Sequence, residues 1–111
     1  MSDGRLEQGT LVWGRTSYKQ DARTRPWIIM STDNHPHAGA EYLALPLTTA
    51  ESENRIRITD DDLVEGKIKK PSNVTPWSYG RLHPEDLEET MGVVKDEIIE
   101  QLRDEYLRIT E

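Results

Sequence analysis

Two stretches, 25-RPWIIMSTDN-34 and 43-LALPLTT-49, decide how this chain folds. In the first, a proline heads the apolar run Trp27 to Met30. Proline is tolerated at the first residue of a strand, where no ladder donor is lost, so Trp27 to Ser31 reads as a strand. In the second, Tyr42 to Leu47 is a short apolar run bounded by polar residues, the pattern of a buried strand. Between them, 32-TDNHPHAGAE-41 is rich in turn formers.

Working outward, 9-GTLVWGRT-16 sets Leu11 and Trp13 on one side, as a half-buried strand would, and assigns Trp13 to the core. The polar stretch 17-SYKQDARTR-25 is a loop. The run 55-RIRIT-59 alternates, with Ile56 and Ile58 inward. The acidic turn 60-DDD-62 and 63-LVEGKIKKP-71 lead to 76-PWSYGRL-82, a fifth predicted strand. Helix is predicted only late. The segment 84-PEDLEE-89 opens with proline and acids, which favour a helix N-terminus. The segment 95-KDEIIEQLRDEYLRIT-110 places Ile98, Leu102, Tyr106 and Ile109 at helical spacing. Asp96 and Glu97 at its start and Arg103 and Arg108 near its end match the helix dipole. Five short strands and a terminal helix predict a mainly β, α+β chain, a small barrel capped by a helix, with residues 1–111 forming a single domain.

Composition narrows the classes. There is no Cys, so neither disulfides nor thiolate chemistry is available. The start, 1-MSDGRLEQG, carries no apolar leader, and no apolar run approaches membrane-spanning length, so a cytoplasmic protein with no membrane partner is expected. Of the net charge of -7, all resides in residues 85–111, with ten acids against three bases; residues 1–84 are balanced. A local basic site is therefore compatible with an acidic chain. The acidity and the preference for Arg (nine) over Lys (five) also fit a salt-adapted host.

Several chemistries lack their residues. His35 and His37 flank a proline without a third metal ligand at a recognisable spacing. They read as loop residues, although an imidazole that titrates near neutrality can serve as a general base; His83, before Pro84, reads as a turn residue. The run 60-DDD-62 lacks the glycine and the bidentate Glu of a calcium loop. No glycine-rich phosphate cradle and no nucleophile elbow is present. What remains is basic and aromatic: Arg15, Lys19, Arg23 and Arg25 interleaved with Tyr18 and followed by Trp27. Bases and aromatics together are the ingredients for gripping single-stranded nucleic acid; an exposed loop tied to the acidic helix would have the same composition.

In order and spacing, 9-GTLVWGRT-16, 25-RPWIIMSTDN-34, 43-LALPLTT-49, 70-KPSNVTPW-77 and 92-GVVKDEIIEQL-102 resemble the MazF/PemK (Kid) family of toxins. The resemblance runs from Gly9 to about Leu107. It implies an SH3-like small barrel with a terminal helix, a homodimer, and a cognate antitoxin protein as partner. It further implies a sequence-selective endoribonuclease acting on single-stranded RNA, with no metal and no other cofactor. The substrate's own 2′-hydroxyl attacks the adjacent phosphorus, leaving 2′,3′-cyclic phosphate and 5′-hydroxyl ends. The family's catalytic arginine, in the Arg-Pro pair, falls on Arg25, and its catalytic threonine, closing the Pro-Leu-Thr strand, falls on Thr48. The RNA surface is assigned to Tyr18, Lys19, Gln20, Arg23, Trp27, Ser31, Thr49 and Trp77. A guanidinium fork meets two phosphate oxygens at once, and a fixed hydroxyl hydrogen-bonds a third. The sequence departs from the family in the loop 18-YKQDART-24, which keeps Gln20 but has no Gly, and in the bulky Trp27. A non-catalytic binding module on the same barrel, including a toxin that poisons a topoisomerase by binding, is the alternative function.

Overall fold

In the computed structural model the described residues are 5–16, 23–50, 53 and 55–111. Eight strands and one helix follow in order: β1 (Thr10–Gly14), β2 (Arg25–Ile29), β3 (Tyr42–Thr48), β4 (Ile56–Ile58), β5 (Leu63–Gly66), β6 (Ser72–Val74), β7 (Gly80–Leu82), β8 (Leu87–Val94) and α1 (Asp96–Thr110). Their pairings are antiparallel, in the spatial order β4-β6-β3-β2-β1-β8-β5, with β7 also on β3.

β3 organises the sheet. One edge pairs with β2; the other is divided between β7, at Tyr42 to Ala44, and β6, at Leu47 and Thr48. Pro46 lies in the gap between those two partners. It has no N–H to donate, so the ladder loses nothing there. The two ladders diverge, and the sheet curls into a half-barrel closed on one side by α1.

Alternation along the strands builds two apolar layers. Leu11, Ile28, Met30, Leu45, Leu47 and Val74 point to the main core, where α1 contributes Ile98, Ile99 and Leu102. Val12, Trp27, Ile29, Tyr42, Ala44 and Leu82 form a second layer on the opposite face. Close crossing of β5 over β8 depends on paired glycines. Gly66 stands opposite Gly92 and has φ +87. A Cβ on Gly66 would lie 2.1 Å from the Met91 carbonyl oxygen, and one on Gly92 2.3 Å from that of Glu65.

The mainly β architecture with its terminal helix is as expected, but several elements differ. β2 starts at Arg25, with Pro26 inside it opposite Trp13. The fifth predicted strand shrinks to Gly80–Leu82, because Trp77 lies in a turn and Pro76 supplies no donor. β5 and β6 were not expected. The largest correction concerns 84-PEDLEE-89. Only Pro84–Asp86 is helical, a single 3-10 turn, and Leu87 begins the eight-residue β8. Glu85 and Asp86 fall in that turn, while Glu88 and Glu89 lie on exposed positions of a strand paired with β1, so tertiary pairing overrides local preference. α1 forms as predicted, but its apolar stripe is buried only as far as Leu102; Tyr106 and Ile109 are exposed. Trp13 is only partly buried, with Lys69 Nζ 5.9 Å from its ring centroid. No helix among the described residues is long and apolar enough to cross a membrane.

Candidate active site

Arg25 is the first residue of β2 and Thr48 the last of β3. The printed register of these strands is Trp27 opposite Pro46, Ile28 opposite Leu45 and Ile29 opposite Ala44. The ladder ends at Trp27 and Pro46, and Arg25 and Thr48 each lie two residues beyond it at the same end of the two strands. Both residues share the alternation of Trp27, Ile29 and Ala44, so they occupy one end and one face of the sheet. The same row continues through neighbouring strands. Arg25 pairs with Gly14 on one side, Thr48 pairs with Asn73, and Asn73 pairs with Arg57. A guanidinium, a hydroxyl, an amide and a second guanidinium thus cross β2, β3, β6 and β4 in sequence.

The row is laid on a firm base. Trp27, one alternation inward from Arg25, is 4% exposed, and its indole Nε1 donates to the Gly14 carbonyl at 3.0 Å. Arg25 and Thr48 are half-buried, Asn73 is buried and Arg57 is exposed. Thr48 Oγ1 accepts from the Ala50 N–H at 3.2 Å. The Ala50 carbonyl in turn accepts from Arg55 Nη1 at 2.9 Å and Asn73 Nδ2 at 3.2 Å. Such a row offers positive charge and a hydroxyl donor, the groups that bind a phosphodiester and stabilise added negative charge on it.

The other expected site residues divide. Arg23 and Thr49 are exposed beside Arg25 and Thr48. Tyr18, Lys19 and Gln20 lie outside the described residues. Trp27 is a correction: an apolar floor with its N–H satisfied, it presents no face on which a base could stack. Ser31 and Trp77 are also separated from the row. With Gln8, Met30, Leu43, Tyr79, Arg103 and Tyr106 they line a groove of about 480 Å³. Leu43 and Met30 alternate oppositely to Thr48 and Arg25, so this groove opens on the other face. In it Tyr79 meets Tyr106 edge-on at 5.1 Å. Burial raises the Tyr79 phenol above its ordinary pKa; Tyr106 adds to the rise and Arg103 opposes it.

The histidines do not join the row. His35 Nε2 lies 3.1 Å from Glu41 Oε2, and its Nδ1 accepts from the His37 N–H at 2.8 Å. Glu41 also lies 3.7 Å from His83 Nε2, and His83 Nδ1 lies 3.5 Å from Asp86 Oδ2. This cluster braces the start of β3, and the seven-residue strand places Thr48 roughly 20 Å away. No group of three or more His, Cys, Asp or Glu among the described residues is arranged to hold a metal ion. The acidic run 60-DDD-62 is a 3-10 turn capped by Thr59, with Asp60 Oδ1 accepting from the Ile68 N–H at 2.8 Å.

Sequence reading missed Asn73 and Arg55. Asn73 lay within 70-KPSNVTPW-77 without a distinguishing signal, and Arg55 preceded a strand like any solubilising charge.

No sequence family and no curated protein matches the chain. Solved structures do. A MazE–MazF complex from Deinococcus radiodurans superposes with a TM-score of 0.74 at 14% identity, covering 97% of each chain. An endoribonuclease in complex with its cognate antitoxin, from a mycobacterial species, superposes at 0.71 and 16% identity over 95% of this chain and 92% of that one. The Mycobacterium tuberculosis toxin MazF-mt6 superposes at 0.68 and 17% identity over 89% and 93%. The fold is therefore MazF-like.

Proposed function

We propose that this chain is a toxin of the MazF/PemK type, a metal-independent, sequence-selective endoribonuclease that cleaves single-stranded RNA and is neutralised by a cognate antitoxin. The observation that carries this reading is the transverse row. Supporting it, Arg25 begins β2 and Thr48 ends β3, two residues beyond the last β2–β3 pair and of like alternation, in a fold shared with structures described as endoribonucleases. Their pairing is what a phosphodiester-cleaving site requires and what a pure binding module has no need to assemble.

In this mechanism the nucleophile belongs to the substrate. The 2′-oxygen loses its proton and bonds to the adjacent phosphorus, the bond from phosphorus to the 5′-oxygen breaks, and the departing oxygen takes up a proton. The products are a 2′,3′-cyclic phosphate and a 5′-hydroxyl. Negative charge grows on the non-bridging oxygens as the phosphorane forms. Arg25 neutralises it through parallel N–H bonds, and Thr48 donates its hydroxyl proton to the same group. Arg23 and Thr49 extend the contact along the strand of RNA. The functional unit is a homodimer, and the antitoxin covers the RNA face.

The test is cleavage of a long single-stranded RNA by purified protein in excess chelator, with end-group analysis and with Arg25→Ala and Thr48→Ala alongside. Cyclic-phosphate products lost in both variants support the reading. Folded wild-type protein that leaves the RNA intact rejects it and favours the binding module.

A further inference from the structure

Thr48 ends β3, and the backbone of Ala50 is held at both of its polar groups, which belong to successive peptide units. Its N–H donates to Thr48 Oγ1, and its carbonyl accepts from Arg55 Nη1 and Asn73 Nδ2. A carbonyl oxygen has two lone pairs, and both donors are in place to use them. A threonine hydroxyl has one proton and two lone pairs. With Ala50 donating to one lone pair of Oγ1, the Thr48 proton remains available to a bound group.

Asn73 is suited to this task by its place. It is the ladder partner of Thr48, so one residue both pairs with Thr48 and grips the backbone of the residue that donates to the Thr48 hydroxyl. At 6% exposure it is sealed from water, and a buried amide is retained where a partner satisfies it. Arg55 keeps its position although its Nε is buried with no hydrogen-bond partner among the described residues. A charge present only for solubility would not be held in that way.

We propose that Asn73 and Arg55 are positioning residues for Thr48, acting through the Ala50 backbone to set the direction in which the hydroxyl donates. The proposal rests on the reading of Thr48 as a group that contacts the scissile phosphate.

Asn73→Leu and Arg55→Met remove the donors without adding charge, and Arg55→Lys restores one. Each is compared with wild type in steady-state RNA cleavage, and in hydrogen exchange of the Ala50 amide by NMR, with Thr48→Val as the exchange control. The expected result is a kcat lower by roughly tenfold or more in the first two variants, a KM within about twofold of wild type, and faster Ala50 exchange. Arg55→Lys recovers most of the rate. A raised KM at unchanged kcat would assign both side chains to RNA binding and overturn the proposal, as would unaltered Ala50 exchange. Wild-type protein that does not cut RNA refutes the nuclease reading alone; Ala50 exchange still decides whether these side chains hold that backbone. If Asn73→Leu does not fold, the Arg55 pair of variants carries the test.

Discussion

Thr48 shows how much at the residue scale depends on a single proton. Its Oγ1 accepts from the Ala50 N–H, and in the proposed mechanism it contributes as a donor. Thr48→Val keeps the shape and removes the proton. Cleavage should fall about 10²–10³-fold, the loss typical of one donor to a developing oxyanion, while Thr48→Ser should keep most of the rate; initial rates on a defined RNA decide. Arg25 and Thr48 were singled out by the resemblance, on the Arg-Pro and Pro-Leu-Thr motifs that border two short apolar runs. Trp27 was misread at the same scale. An aromatic within an apolar run has the same letter whether it stacks on a ligand or fills a floor, and its burial depends on Val12 and Gly14, which reach it from another strand.

At the scale of elements, β8 is the instructive case. Glu88, Glu89 and Thr90 are exposed, and their composition favours a helix start or a turn. β1 nevertheless pairs along the strand as far as Leu87, with β5 joining at Gly92 to Val94, and the backbone bonds so gained outweigh a weak local preference. The crossing of β5 over β8 yields a prediction. Gly66→Ala forces a Cβ to within 2.1 Å of backbone at a positive φ, so backbone must move. Destabilisation of about 2–4 kcal/mol is expected in chemical denaturation, more than an overpacked core usually costs at its lower end. α1 provides the contrast. Leu102→Ala empties a fully buried site in the main core and should cost about 2–5 kcal/mol. Leu107→Ala, 51% exposed one and a half turns later, should leave the isolated chain's stability within about 0.5 kcal/mol. Leu107 lies off the stripe of Ile98, Leu102, Tyr106 and Ile109, whereas the exposure of Tyr106 within that stripe was not visible in the periodicity.

For the whole molecule, electrostatics and topology govern how RNA would be held. The net charge is -7, and the described cations flanking the row are Arg23, Arg25 and Arg57. About three phosphate contacts on single-stranded RNA give a slope near -2 for log binding constant against log salt, at about -0.7 per contact. A slope of this size, measured by titration from low to molar salt, agrees with the shallow dependence expected of an acidic chain. A slope near -5 or steeper would require a basic surface that these residues do not supply. Neither Trp27 nor Trp77 stacks a base at the row, because one is buried and the other lines the groove on the opposite face of β3.

By itself the sequence determined the first four strands and the terminal helix from Asp96, since alternation, helical spacing and proline placement act on neighbours in the chain. Tertiary structure alone decided the rest. Which strands pair, that Pro46 falls where β3 changes partner, and that Asn73 and Arg55 meet at the Ala50 carbonyl all arise from contacts between distant segments. The physical reason is that strand register is set by burial and hydrogen bonding across the sheet, and these are properties of the pair and not of either strand alone.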